Sequence, residues 1–83
     1  MLKLTLYSKK DCHLCDVAKN ELDVLQNEIA FLIIEVDIEK DRDAFEKYKY
    51  LIPVIEIDGK IMFTGRIDRD RLVNALRQKS RPG

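Results

Sequence analysis

Two cysteines, Cys12 and Cys15, are separated by two residues and lie between two segments of different periodicity. Residues 2–7 alternate between apolar and polar side chains, which is typical of a strand, whereas the apolar residues after Cys12 recur at helical spacing. The pair therefore falls where a strand passes into the first turn of a helix. Unpaired backbone N–H groups at a helix start favour thiolate over thiol, and two side chains at this spacing can close a disulfide across one turn. The pattern predicts a dithiol redox site.

Composition limits the classes to which the chain can belong. Its 83 residues make one domain over residues 1–83, and a hydrophobic content of 46% is enough for a core. Fifteen basic and fifteen acidic residues cancel, so net charge gives no reason to expect nucleic acid or an anionic membrane as a partner. No stretch approaches the roughly 18 apolar residues that span a bilayer, and no signal peptide is visible. A single closely spaced cysteine pair is typical of a reducing compartment, and we expect a cytoplasmic monomer.

The first half of the chain contains two helical segments and a second strand. The stripe after the cysteines consists of Leu14, Ala18, Leu22 and Leu25, widened by Cys15 and Val17. Asp11 is expected to cap this helix, which should end at residues 27–28. Residues 31–38 are almost continuously apolar, which predicts a parallel strand buried on both faces. Residues 41–50 then predict a second, shorter helix.

The second half predicts a hairpin and a last helix. Pro53 opens a strand over residues 54–58, and Asp58-Gly59 is a strong signal for a two-residue turn into residues 60–63. The last helix should begin near Asp68, and residues 80–83 should fray. The order β-α-β-α-β-β-α combines a parallel βαβ unit with an antiparallel hairpin. It predicts an α/β fold with a mixed four-stranded sheet, three helices on both faces, and its chemistry at the carboxyl end of the first strand.

Several segments together resemble one family. Residues 7–15, Tyr-Ser-Lys-Lys-Asp-Cys-His-Leu-Cys, are similar to the glutaredoxin pattern Y-S/T-K-x-x-C-x-x-C. Ile52-Pro53-Val54 resembles the T/V-V-P segment of that family, Thr64-Gly65 lies near its Gly-Gly, and Asp68 lies near the acidic residues that follow. Essentially the whole chain resembles the glutaredoxins of the thioredoxin-like fold. It is most similar to short bacterial and archaeal glutaredoxin-like proteins with a C-H-L-C centre.

The resemblance implies a role for each residue of the predicted site. Cys12 would be the exposed, attacking thiol and Cys15 the buried, resolving thiol. Lys9 would lie beside the Cys12 sulfur and favour its ionised form. Pro53 would be cis and face the disulfide, and Ile52 would offer backbone hydrogen bonds to a substrate strand or to glutathione.

The resemblance also implies glutathione as a ligand. The candidate glutathione-binding residues are Lys9, Ile52, Pro53, Gly65 and Asp68. Thr64 replaces the first glycine of Gly-Gly, and Ile67 stands where the first acidic residue would be. These are the positions that hold the γ-glutamyl end of glutathione in the family. The resemblance as a whole implies glutathione as a co-substrate, and we expect no tightly bound cofactor.

The function that these features predict is reduction of disulfides in a protein or a small molecule, with glutathione or a disulfide reductase as the electron donor. Two alternatives remain open, namely a redox-sensing adaptor that does not turn over and a carrier of metal or of an iron–sulfur cluster. A structural zinc site needs four ligands, and only His13 and the two thiols are at hand, so no metal ligands are assigned. His13 either tunes the ionisation of Cys12 or is simply an exposed residue at the helix start.

Four further residues have simpler interpretations. Tyr7 and Tyr48 are interpreted as aromatic residues of the core or its rim, and Glu56 as part of the polar face of a strand. Tyr50 is interpreted as a residue that lines the substrate groove.

Overall fold

Residues 2–79, which the computed structural model describes, form four strands and three helices in the predicted order. The predicted frayed tail at residues 80–83 lies outside the described residues. The elements are β1 (Lys3–Ser8), α1 (His13–Leu25), β2 (Leu32–Asp37), α2 (Arg42–Tyr48), β3 (Val54–Ile57), β4 (Lys60–Thr64) and α3 (Arg69–Lys79). A single turn of 3-10 helix, Ile38–Lys40, connects β2 to the segment before α2.

The sheet has the strand order β2-β1-β3-β4 and is mixed, as predicted. β1 pairs in parallel with β2 and antiparallel with β3, and β3 pairs antiparallel with β4. Tyr7 lies opposite Val54, and Val54 lies opposite Thr64. The residues after β1, before β3 and after β4 therefore meet at one end of the sheet, which we call the site edge.

The hairpin between β3 and β4 forms at the predicted dipeptide. Asp58 and Gly59 both have positive φ, 52° and 84°. This is the requirement of a type I′ turn, whose twist matches that of the two flanking strands. The Asp-Gly turn therefore sets the register next to it, Ile57 with Lys60 and Glu56 with Ile61, and a bulge then shifts the rest of the hairpin by one residue.

The helices cover both faces of the sheet, as predicted. α1 and α3 pack on one face around the fully buried Leu22 and Leu72, whereas α2 packs on the other face around Tyr48. Leu14 and Val17, which the sequence pattern assigns to the buried stripe of α1, remain 38% and 44% exposed. They lie in the first two turns of α1.

The predicted burial of β2 on both faces is wrong. β2 is an edge strand with β1 as its neighbour in the sheet, and its Leu32 and Ile34 are 47% and 44% exposed. The reason lies in the topology, because β3 takes the second side of β1 and leaves β2 outside. The short α2 covers the sheet only around Tyr7, Val36 and Val54. An apolar run in the sequence does not distinguish an edge strand from a central one.

Candidate redox site

The two cysteines form a disulfide at the start of α1. Cys12 and Cys15 are bonded through their sulfurs, and their Cα atoms are 5.2 Å apart, within the usual range for a disulfide. Cys15 is buried, with 3% of its surface exposed, whereas Cys12 is half-buried. Reagents in solution therefore reach the pair from the side of Cys12.

Cys12 is also the N-cap of α1. It has φ −119° and ψ 105°, outside the helical region, and its Sγ accepts a hydrogen bond from the backbone N–H of Cys15 at 3.3 Å. Its carbonyl accepts from the N–H of Asp16 at 3.1 Å, which closes the first turn of the helix. The sulfur of Cys12 thus occupies the position that a serine or aspartate oxygen takes in an ordinary cap.

The predicted cap at Asp11 is therefore wrong. Asp11 lies one residue outside the cap and has φ +57°, in the left-handed region that aspartate tolerates better than most residues. A capping side chain reaches the N–H group two or three residues beyond it, and Cys12 has that spacing from Cys15. Asp11 instead turns the chain from the loop after β1 into the helix.

The environment of the sulfur of Cys12 is that of a helix N-terminus. The first backbone N–H groups of α1 have no partner within the helix and carry partial positive charge, and one of them points at Sγ. Lys9 and His13 are both exposed on either side of Cys12 in the chain. Lys9 follows directly after β1 and so lies at the site edge.

A second segment of the site edge precedes β3. The Ile52–Pro53 peptide bond is cis, which confirms the prediction, and the side chain of Pro53 is fully buried. The N–H of Ile52 donates to the carbonyl of Tyr48 at 3.1 Å. The backbone N–H of Ile52 is thus engaged within the chain, which leaves its carbonyl as the backbone group that it can offer to a ligand.

A third segment follows β4 and is tied to the second. Gly65 has φ +70°, and its N–H donates to the carbonyls of Pro53 at 2.8 Å and Leu51 at 3.1 Å. Asp68 begins α3, as predicted, because its Oδ1 accepts from the N–H of Arg71 at 3.3 Å and its carbonyl accepts from the N–H of Leu72 at 3.0 Å. Gly65 therefore ties this segment to the loop that contains Pro53, and Asp68 caps the helix that follows.

Tyr7, Tyr48 and Glu56 form a polar cluster on the α2 face of the sheet, and the sequence did not predict that these three side chains meet. The hydroxyl of Tyr48 donates to Oε1 of Glu56 at 3.0 Å, and the rings of Tyr7 and Tyr48 lie with their centroids 4.6 Å apart. Burial and the neighbouring Glu56 carboxylate raise the pKa of Tyr7 to about 12, and the same two causes raise the pKa of Tyr48. The signal in the sequence was a single acidic residue, Glu56, between Ile55 and Ile57 in a strand.

Tyr48 connects this cluster to the site edge. Its carbonyl accepts the N–H groups of Leu51 at 2.9 Å and Ile52 at 3.1 Å. Its side chain is fixed to the sheet through Glu56. The position of the loop before Pro53 is therefore coupled to a hydrogen bond on the α2 face of the sheet.

Comparison with known proteins agrees with this geometry. Residues 3–77 match the family model described as Glutaredoxin-like domain (DUF836). The chain belongs to this glutaredoxin-like family. A glutaredoxin-like protein from Dictyostelium discoideum, the YDR286C homolog, is 34% identical to this glutaredoxin-like domain over 77 residues, which cover 86% of the present chain and 71% of the relative.

Solved structures show the same fold. The solution structure of protein Ne2328 from Nitrosomonas europaea has a TM-score of 0.78 and 26% identity over 90% of this glutaredoxin-like domain and 91% of that chain. The X-ray structure of XcR50 from X. campestris has a TM-score of 0.73 and 33% identity over 90% and 96% of the two chains. A mutant thioredoxin from Halobacterium salinarum, 15% identical over 99% and 77% of the two chains, has a TM-score of 0.77 and shows the fold alone. The predicted thioredoxin-like fold is confirmed.

Two kinds of feature are absent from the described part of this glutaredoxin-like domain. Within residues 2–79, no group of three or more His, Cys, Asp or Glu side chains is arranged to hold a metal ion. None of the helices in the same range is long and apolar enough to cross a bilayer.

Proposed function

We propose that this glutaredoxin-like domain is a thiol–disulfide oxidoreductase that reduces disulfides through Cys12 and Cys15. The observation that carries the proposal is the disulfide between a half-buried N-cap cysteine and a buried cysteine one turn further along α1. The cap position supplies the N–H that stabilises a thiolate at Cys12. The burial of Cys15 keeps the second thiol away from external disulfides.

The proposed cycle starts from the reduced pair. The Cys12 thiolate attacks one sulfur of the substrate disulfide, the substrate S–S bond breaks, and the other substrate sulfur leaves as a thiolate that takes up a proton. Cys15 then loses its proton and attacks the Cys12 sulfur of the mixed disulfide, which releases the second substrate thiol. The substrate gains two electrons, and the pair is left as the disulfide that the structure shows.

We propose that glutathione or a disulfide reductase then returns the pair to the dithiol. Glutathione acts here as a co-substrate, and its candidate contacts are Lys9, Ile52, Gly65 and Asp68, while Pro53, whose side chain is fully buried, adjoins the carbonyl of Ile52. The arrangement of the site edge supports this set, since Gly65 donates to the carbonyl of Pro53 and all five residues belong to the segments that meet there. At Ile52 the backbone contact is its carbonyl, which accepts an N–H from the bound peptide.

The proposal is tested with single serine variants and a small neutral disulfide, 2-hydroxyethyl disulfide. Cys12→Ser should abolish reduction, because no other thiol of the described chain is exposed to attack. Cys15→Ser should accumulate a mixed disulfide at Cys12, visible as a mass increase in non-reducing mass spectrometry. The wild-type assay is run with glutathione and its reductase, and in parallel with thioredoxin reductase, to identify the donor.

Two results would contradict the proposal. One is full disulfide reduction by the Cys12→Ser variant. The other is equal labelling of Cys12 and of a model thiol by iodoacetamide at about pH 6, which would remove the thiolate stabilisation that a helix start provides.

A further inference from the structure

A narrow cleft opens beside the redox pair, between the first turns of α1 and the start of α3. Its volume is about 90 Å³, and its lining residues are Leu14, Val17, Ala18, Glu21, Arg66, Ile67 and Arg69. Leu14 is one of the two residues between Cys12 and Cys15. The cleft therefore begins within the redox motif itself.

The floor of the cleft is apolar. Leu14, Val17 and Ala18 share one face of α1 with Glu21, because residues three and four apart on a helix are neighbours. Ile67 closes the other side and packs against the core formed by α1 and α3. Single exposed apolar side chains are common on protein surfaces, but Leu14 and Val17 together line a concave site, and Leu14 directly precedes Cys15 in the chain.

The rim of the cleft carries an unmatched positive charge. Arg69 Nε lies 3.7 Å from Oε2 of Glu21, so these two charges offset each other. Arg66 is exposed and has no hydrogen-bond or ion-pair partner among residues 2–79. A ligand that fills the apolar floor therefore meets a free guanidinium at its edge.

We infer that this cleft recognises the polypeptide next to the reactive cysteine of a protein substrate. An aliphatic side chain of about the size of leucine enters the cleft, and a neighbouring carboxylate of the same segment pairs with Arg66. The volume of about 90 Å³ limits the occupant to one side chain, and the apolar floor favours an aliphatic one. The inference rests on the proposed function and names its substrate class.

The test uses short peptides whose single cysteine is linked to 2-mercaptoethanol as a mixed disulfide. The peptides place Leu and Glu, Ala and Glu, or Leu and Lys within two residues of the cysteine, on either side. We expect kcat/KM to fall about tenfold when Ala replaces Leu, as for a lost aliphatic contact in a pocket. We expect about a threefold fall when Lys replaces Glu, and the loss of that difference in about 1 M salt, because an exposed ion pair is weak and screened.

Matched variants assign these preferences to the cleft. Val17→Asp should remove the preference for Leu, whereas Val24→Asp, the same change at an exposed position further along α1, should keep it. Arg66→Glu should reverse the preference for Glu over Lys. Arg42→Glu, the same charge change at the first residue of α2, should leave that preference as it is in the wild type.

Reduction of 2-hydroxyethyl disulfide distinguishes failure of the inference from failure of the proposed function. If the protein reduces 2-hydroxyethyl disulfide but reduces all peptides with equal kcat/KM, the inference is overturned and the proposed function stands. If preferences occur but persist in Val17→Asp and Arg66→Glu, the cleft is not their source and the inference is again overturned. If neither the small disulfide nor any peptide is reduced, the proposed function fails.

Discussion

Removal of the hydroxyl of Tyr48 should destabilise the domain. This hydroxyl lies on the α2 face of the sheet, opposite the face that α1 covers. In Tyr48→Phe the hydrogen bond to Oε1 of Glu56, 3.0 Å long, is lost and the carboxylate keeps its place in the half-buried cluster. Hydrogen bonds to charged groups contribute about 1.5–3 kcal/mol. Because Glu56 is only half-buried, we expect a loss of about 1.5 kcal/mol in the free energy of unfolding.

This loss is large enough to measure in a domain of this size. One kcal/mol shifts Tm by about 4–8 °C in a domain of 60–100 residues, so Tm should fall by about 6–12 °C. With a urea m-value of about 1 kcal/mol/M, the midpoint should fall by about 1.5 M. Both are followed by circular dichroism with the disulfide kept oxidised.

Two further variants test whether the loss comes from this hydrogen bond and from the charge of Glu56. Tyr50→Phe removes the same hydroxyl from a residue that is 89% exposed, and its free energy of unfolding should stay within about 0.5 kcal/mol of the wild type. In a Glu56→Gln background the side chain keeps an oxygen that accepts a hydrogen bond but carries no charge. The further loss in the free energy of unfolding caused by Tyr48→Phe should therefore drop to about 1 kcal/mol or less. An unchanged midpoint in Tyr48→Phe would refute the structural role of this bond, and equal costs in both backgrounds would refute the role of charge.

Three other outcomes follow from particular residues. In the Tyr50→Phe variant, ultraviolet titration should show Tyr7 ionising with a pKa of about 12 and Tyr48 with a pKa above the ordinary value of 10.0. Because folding raises both pKa values, the two protonated tyrosines stabilise the folded state below about pH 10, and this stabilisation is lost between about pH 10 and 12. A urea midpoint that rose over this pH range would contradict the assignment. Gly59→Ala places a side chain at φ +84° in the hairpin turn and should cost about 1–2 kcal/mol in urea unfolding; no loss would mean that the turn is not type I′. Leu22→Ala empties a fully buried position and should cost about 3 kcal/mol, seen as a lower Tm, whereas a loss below about 1 kcal/mol would indicate a collapsible core.

Local patterns predict most of this fold. The Asp58-Gly59 pair marked the hairpin because only a few residue types accept positive φ, and the turn has that geometry. The stripe of Ala18, Leu22 and Leu25 predicted the buried side of α1 because 3.6-residue periodicity reports which face meets the sheet. These features are decided within a few residues of the chain.

The features that sequence patterns miss depend on distant segments. The exposure of β2 follows from the insertion of β3 beside β1, which no property of residues 31–38 reports. The hydrogen bond between Tyr48 and Glu56 joins a helix and a strand that each look ordinary alone. At the redox site, the positions of Cys12 and Cys15 were predicted, but the capping role of Cys12 was not, because a sulfur is a less common cap than the aspartate beside it.

The antiparallel pairing of β1 with β3 has a consequence for a growing polypeptide on the ribosome. Tyr7 and Val54 are neighbours in space but lie far apart in the chain. Both cysteines leave the exit tunnel before the segment that contains Pro53 does, because they precede it in the chain. During that interval a nascent thiol at Cys12 has no completed site around it, so oxidation, or exchange with a disulfide of another molecule, competes with the closure of a long-range contact.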